Sequence, residues 1–161
     1  MPVTPFHLGP GVFFGTICFR FFNFFAFLLG SVVIDLEPLF IIIFNLGPPY
    51  HRFFHTFLGG IVGALILSFF IFAFKKKLEG LCLKIHLPQS FTFTRIFLGS
   101  LLGWWTHIIF DAFTHYDVFP LWPFHFNPLL GLISALQDYI LCLILGIVGV
   151  ILIIKKNYLV K

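Results

Sequence analysis

Charge is what this chain has least of. Only 10% of its 161 residues are Asp, Glu, Lys or Arg, against roughly a quarter in a water-soluble domain. With a mean hydropathy of +1.05 and 60% hydrophobic residues, it reads as an integral membrane protein, and its length suits one domain spanning residues 1–161. Cysteine is also scarce. Cys18, Cys82 and Cys142 lie far apart with no Cys-x-x-Cys pair, which excludes a disulfide framework and a thiolate metal site; they read as small apolar residues. There is no Gly-x-Ser-x-Gly elbow, no His-Glu-x-x-His and no phosphate-cradling glycine loop. Ser31 and Ser100 follow glycines, but neither has a base at a suitable spacing. The opening Met-Pro-Val-Thr-Pro-Phe-His lacks the basic region of a cleavable signal peptide. The net charge of +4 forms no basic stripe with interleaved polar residues, so nucleic acid is excluded as a partner and membrane lipids are expected instead.

Long apolar runs dominate what is there. The clearest spans run from about Phe54 to Phe74, ending at Lys75-Lys76-Lys77, from about Phe93 to Phe113, and from about Leu129 to Ile154, ending at Lys155-Lys156. Each supplies the roughly 20 residues that a bilayer crossing needs. Gln137 and Asp138 sit in the first third of the last span. Leu8 to Phe19 and Phe24 to Ile34 are apolar but short, and with Arg20–Asn23 between them they read as a helical hairpin. Pro38 to Leu46 reads as a short interfacial helix stopped by Gly47-Pro48-Pro49. Gly59, Gly60, Gly63 and Ala64 suit close helix packing. The expected fold class is all-α: a polytopic transmembrane helical bundle of three clear spans plus an N-terminal hairpin. Lys75–Lys77, Lys84, Arg95, Lys155, Lys156 and Lys161 fall on one side with Arg20, and only Arg52 falls on the other. The positive-inside rule then makes the lysine side cytoplasmic in a multi-pass cell-membrane protein.

In so apolar a chain the ionisable residues need a reason, because each costs roughly 2.5–3.5 kcal/mol inside a membrane segment. His51-Arg-Phe-Phe-His55 and His107-Ile-Ile-Phe-Asp111 are both spaced i, i+4, which on a helix puts the two side chains on one face, able to grip one ion. A single interfacial histidine needs no function, and His107 with Asp111 also reads as a buried pair in which the carboxylate orients the ring. Convergence favours metal. In the topology above, His7, Asp35, Glu37, His51, His55, His107, Asp111 and His115 all fall at the non-cytoplasmic ends. The expected ligands are His7, Asp35, His51, His55, His107, Asp111 and His115, with Asp35 or Glu37 as general base. Asp117 reads as a cap or turn for the following loop, His86 as a bystander in the lysine-rich loop, and His125 as a loop residue on the site's side. His and carboxylate ligands without cysteine suit one or two Zn²⁺ ions, with Mn²⁺ or Fe²⁺ also compatible.

Five stretches occur in order: Thr4-Pro-Phe-His7-Leu-Gly-Pro, Gly30-Ser-Val-Val-Ile-Asp35-Leu-Glu-Pro38, His51-x-Phe-x-His55-Thr, Trp105-Thr-His107-Ile-x-Phe-Asp111, and Pro120-Leu-Trp-Pro-Phe124 through Asn127-Pro-Leu-x-Gly131. Over about residues 2–131 they resemble the small membrane-bound metal-dependent hydrolases. The chain departs from that family in having Arg52 where a glycine is common. A more distant likeness is to the helical zinc-dependent phospholipase C enzymes, which have a His-x-x-x-Asp step like that from His107 to Asp111. Their His-x-x-x-Glu pair has no counterpart here, so one or two metals are expected rather than three. With such a metal site the expected activity is hydrolysis by a metal-activated water, and the site's headgroup depth, together with the resemblance, points to a phosphoester of a lipid or lipid-linked substrate. A metal or proton transporter is the alternative, since intramembrane His and Asp also mark ion pathways. It calls for polar residues on the cytoplasmic half, which is nearly all Leu, Ile, Phe and Val. A haem-binding bundle calls for facing histidines with few carboxylates beside them.

Overall fold

The computed structural model describes residues 4–159. Lys161, counted above with the basic residues, and the first three residues of the signal-peptide argument lie outside them. The described chain is all-helical. A 3-10 turn at Thr4–His7 leads into α1 (Leu8–Ile17). It is followed by α2 (Phe24–Val33), α3 (Leu36–Ile43), a second 3-10 turn at Phe53–His55, α4 (Phe57–Ala73), α5 (Lys75–Lys84), α6 (Phe93–Thr114) and α7 (Ala135–Leu159).

Three stretches are long and apolar enough to cross a membrane: Phe24–Ile43, Phe93–Thr114 and Ala135–Lys156. Two of these fit the spans expected at 93–113 and 129–154, the latter starting later because Ser134 and Gln137 build its N-terminus. Gln137 Oε1 accepts from the Ser134 N–H at 2.8 Å and Ser134 Oγ from the Gln137 N–H at 3.3 Å, a reciprocal capping box. The stretch expected to span at 54–74 holds the 17-residue α4, stops where expected, and passes for a span together with α5, which leaves it at a bend of 75°. The lysines therefore open a new helix instead of a loop. The surface helix expected at 38–46 is instead α3, which with α2 makes up the stretch Phe24–Ile43. Leu39, Phe40, Ile42 and Ile43 are exposed along it, as suits a face against hydrocarbon.

The hairpin of α1 and α2 turns where expected. Asn23 is buried there, its Oδ1 accepting from Ala26 N–H at 2.9 Å and its own N–H donating to Arg95 O at 3.0 Å. This caps α2 and starts it beside the start of α6. The two helices then run parallel in backbone contact: a Cβ on Gly99 would meet the Asn23 carbonyl, and one on Gly103 the Phe27 carbonyl. Small residues at such a seam are what allow close packing in lipid, where burial of apolar surface gives no net drive. α4 runs antiparallel to α6, Gly60 and Gly63 resting on Trp104 and Trp105, whose indole N–H groups donate to Phe54 O and Phe57 O respectively. α7 lies parallel to α1, with Gly9 against Cys142 and Gly149 against Phe13. These directions bring the starts of α1, α4 and α7 together with the ends of α2 and α6. Arg20, Lys75–Lys77, Arg95, Lys155 and Lys156 gather at the opposite end of the bundle.

Candidate metal centre

Asp111, one turn before the end of α6, is the hub. It is buried. Its Oδ2 lies 3.0 Å from His107 Nε2, 3.6 Å from His55 Nε2 and 3.9 Å from His51 Nε2, and its Oδ1 lies 3.1 Å from His7 Nε2 and 3.6 Å from His115 Nδ1. Five histidines from four stretches of chain therefore surround one carboxylate. Asp35, at the junction of α2 and α3, joins from the side, with Oδ1 at 3.3 Å from His107 Nε2 and 4.0 Å from His55 Nε2. The rings of His7 and His107 stack with centroids 3.9 Å apart.

Each stretch reaches the centre differently. His107 and Asp111 are helical neighbours, as expected from their spacing. His51 and His55 are not, and the expected shared helix face is corrected: α4 begins only at Phe57, His51 lies in a bend, and His55 ends a 3-10 turn. Thr56 closes that turn, its Oγ1 accepting from Gly59 N–H at 2.9 Å and donating to Phe53 O at 2.8 Å. α6 stops at Thr114, and His115 turns back so that its backbone N–H bonds Asp111 O at 2.9 Å.

Behind the rings stand groups that decide which nitrogen faces inward. His55 Nδ1 donates to Glu37 Oε2 at 2.7 Å, His107 Nδ1 to Ser31 O at 2.8 Å, His51 Nδ1 to Asp117 Oδ1 at 2.9 Å, and His115 Nδ1 to Asp111 O at 3.1 Å. The acceptors hold no proton to give, so the Nδ1 atoms carry the hydrogens. For His51, His55 and His107 this turns Nε2 toward the carboxylates. Such partners orient a metal-binding imidazole and raise its basicity. Glu37 also accepts the Arg52 and Phe54 N–H groups at 3.0 Å. It stands behind His55, away from the centre, which corrects the alternative of Glu37 as general base. Asp117, expected to cap or turn its own loop, instead accepts the Tyr50 and His51 N–H groups and the His51 ring. No spacing in the sequence points to a pairing 66 residues apart; the only hint was a spare carboxylate beside a histidine cluster. His86 and His125 are exposed and outside the centre.

Burial is the largest influence on His7, His55 and His115, and it holds each below the ordinary histidine pKa. Burial pushes Asp117 upward, but the hydrogen bond and charge of His51 outweigh it and leave the carboxyl below its usual range. Neutral imidazoles beside ionised carboxylates are what a divalent cation requires.

The donor set fits a metal on a further ground. His55 Nε2 is fully buried with no hydrogen-bond partner, and an orphaned buried polar atom is costly. His107 Nε2 points at carboxylate oxygens of both Asp111 and Asp35, a nitrogen–oxygen donor set of the kind that holds a divalent cation. A cation there satisfies all these atoms together. Asp35, His55, His107 and Asp111 form one group whose ligand atoms lie within 4.8 Å of one another, and His51, Asp111 and His115 form a second. Asp111 belongs to both, as a carboxylate with two oxygens can. No family model, curated protein or solved structure matches the chain.

Proposed function

We propose that the protein is a membrane-embedded metal-dependent hydrolase that cleaves a phosphoester of a lipid or lipid-linked substrate, one of the membrane-bound hydrolases its motifs resemble. The observation that carries this reading is the pair of His/Asp groups sharing Asp111. With Asp35 kept for proton transfer, the first group, like the second, offers three protein ligands with one position open, the pattern of catalytic rather than structural zinc. His55, His107 and Asp111 would hold one ion, and His51, His115 and Asp111 a second, with His7 fixing the Asp111 carboxylate through Oδ1. Zn²⁺ suits these ligands, with Mn²⁺ or Fe²⁺ compatible. When bound, the metal supplies Lewis acidity that brings the pKa of water toward about 7 and draws charge from a phosphoryl oxygen.

Asp35 is the carboxylate left for proton transfer, at 20% side-chain exposure against 2% for Asp111. It takes the proton of the attacking water as the water oxygen bonds to phosphorus, and it returns that proton to the alcohol oxygen as the phosphorus–oxygen ester bond breaks. Glu37 and Asp117 hold the His55 and His51 rings in register throughout. The site belongs on the non-cytoplasmic face of the cell membrane, because the basic residues collect at the other end of the bundle. A transporter is the weaker reading. Among the described residues no His, Asp, Glu, Lys or Arg is buried between the centre and the basic end, where an ion path would have to continue.

Metal analysis of the detergent-purified protein beside its His55→Ala variant tests the proposal. One or two zinc ions per chain, reduced in the variant, with zinc-dependent release of phosphate or a phosphorylated headgroup from phospholipid, is the expected result. Wild-type protein that neither retains nor takes up zinc overturns it. Labelling of Phe124→Cys in a cysteine-free background tests the orientation; reaction only after the inner face is opened moves the site to the cytoplasm.

A further inference from the structure

An apolar groove of about 720 Å³ runs along the outside of the bundle between the α2–α3 stretch and α4. Ile34, Phe40, Ile66, Phe70 and Trp104 line its walls, and Glu37 and Arg52 stand at one end. Its volume lies within the usual range for small-molecule sites, roughly 300–1,000 Å³. From Phe57, where α4 begins just past Phe54, to the level of Phe70 is about 20 Å at 1.5 Å per residue. That is longer than one leaflet of a hydrocarbon core roughly 30 Å thick.

Three features of the polar end say what belongs there. Ile34 and Leu36 both line the groove and flank Asp35, the one member of the centre that is more than a tenth exposed. Glu37, on the same rim, is hydrogen-bonded to His55. Among the described residues Arg52 is the only Lys or Arg at this end of the bundle. Its guanidinium donates to the carbonyls of Leu46, Gly47 and Pro49, and among the described residues no carboxylate forms an ion pair with it. Those carbonyls are neutral and fix its position, while Glu37 bonds its backbone N–H and not its guanidinium.

We propose that this groove seats the hydrocarbon chain of an anionic phospholipid that enters sideways from the bilayer, with its phosphate beside Arg52 at the edge of the metal centre. The substrate class in the preceding section then becomes specific: a lipid with a negatively charged phosphate head, held by its tail. The assignment rests on the hydrolase reading for what happens to the lipid, but not for the binding itself. It also gives the Arg52 departure from the resembling family a role, as a headgroup contact.

The test uses phosphatidic acid with a diazirine at the end of one acyl chain, mixed into phosphatidylcholine vesicles that hold the full-length protein. Light-induced adducts should concentrate on Phe40, Ile66 and Phe70, and unlabelled phosphatidic acid should compete while phosphatidylcholine of the same chain length does not. Ile66→Trp puts a larger side chain into the groove at an exposed position and should remove the Phe70 adducts. Arg52→Gln should weaken competition by phosphatidic acid about fivefold, the effect of one cation beside an anionic headgroup. Adducts spread equally over Ile144, Ile147 and Ile151 of α7, or equal competition by phosphatidylcholine, overturn the groove as a specific site. Zinc content measured on the same samples separates the two readings. Localised adducts on a protein without zinc sustain the groove and sink the hydrolase, whereas full zinc with scattered adducts does the reverse.

Discussion

His107 and Asp111 meet at 3.0 Å because four residues of α6 bring them round to one face. His51 and His55 have the same spacing, lie outside any α-helix, and still bring their rings to a centroid distance of 4.6 Å. The first pair is held by backbone hydrogen bonds that any apolar helix makes. The second is held by carboxylates from elsewhere, Asp117 behind His51 and Glu37 behind His55, and by Arg52 gripping its own loop. Equal spacing thus conceals unequal construction: the α6 half of the centre is rigid by register, and the loop half by side-chain hydrogen bonds.

Removing the hub should do most damage to both halves. Asp111→Asn leaves one acceptor oxygen where two groups each need one, and zinc affinity should fall by more than the roughly 10–100-fold typical of orienting partners. Retention of zinc at the wild-type level would reduce the α6 pair to a packing contact.

The loop half has its own sensitivity. Glu37→Gln and Asp117→Asn should each weaken zinc binding by roughly 10–100-fold with the fold intact, as read by zinc titration against a competing chelator. Losses as deep as that of Asp111→Asn would mean that these carboxylates touch the metal. No loss would mean that the loop histidines hold their positions without help.

For the α6 half the equivalent weakness is the seam with α2. Gly103→Ala drives a methyl group at the Phe27 carbonyl, and overpacking of this kind costs about 1–3 kcal/mol. Unfolding in detergent should show it, together with weaker zinc binding, because the Ser31 carbonyl that orients His107 lies one turn further along the same seam. Unchanged unfolding would show that α2 and α6 can separate without loss.

The smallest effect belongs to Thr56→Ala. It removes the cap that joins the histidine loop to α4 and should cost about 1 kcal/mol, within the roughly 0.5–2 kcal/mol range for caps. Thermal unfolding of the variant beside wild type checks it. A much larger loss would mean that the cap also holds the loop half of the centre together.

The all-helical class, the spans at α6 and α7 and the hairpin turn at Asn23 were legible from apolar run length and from the few residues that interrupt it. So was the set of histidines and aspartates at one end, since a chain with so little charge tolerates ionisable groups only for cause. Local patterning failed where the chain turns for tertiary reasons. At Lys75 the chain bends by 75° into α5 where a loop was expected, and α3 belongs to the stretch of α2 instead of lying apart on the surface. The centre's inner and outer layers were equally beyond local reading. Spacing marks which residues share a helix face, but which nitrogen of His55 points inward depends on where Glu37 stands, and Asp117 reaches His51 across 66 residues only after α4 and α6 have packed side by side. Composition and periodicity determined that this chain is a bundle for a membrane with a cluster of histidines and aspartates at one end and its lysines at the other. The tertiary structure alone decided that they converge on Asp111, because a carboxylate becomes a hub only when helices of different direction end at the same depth.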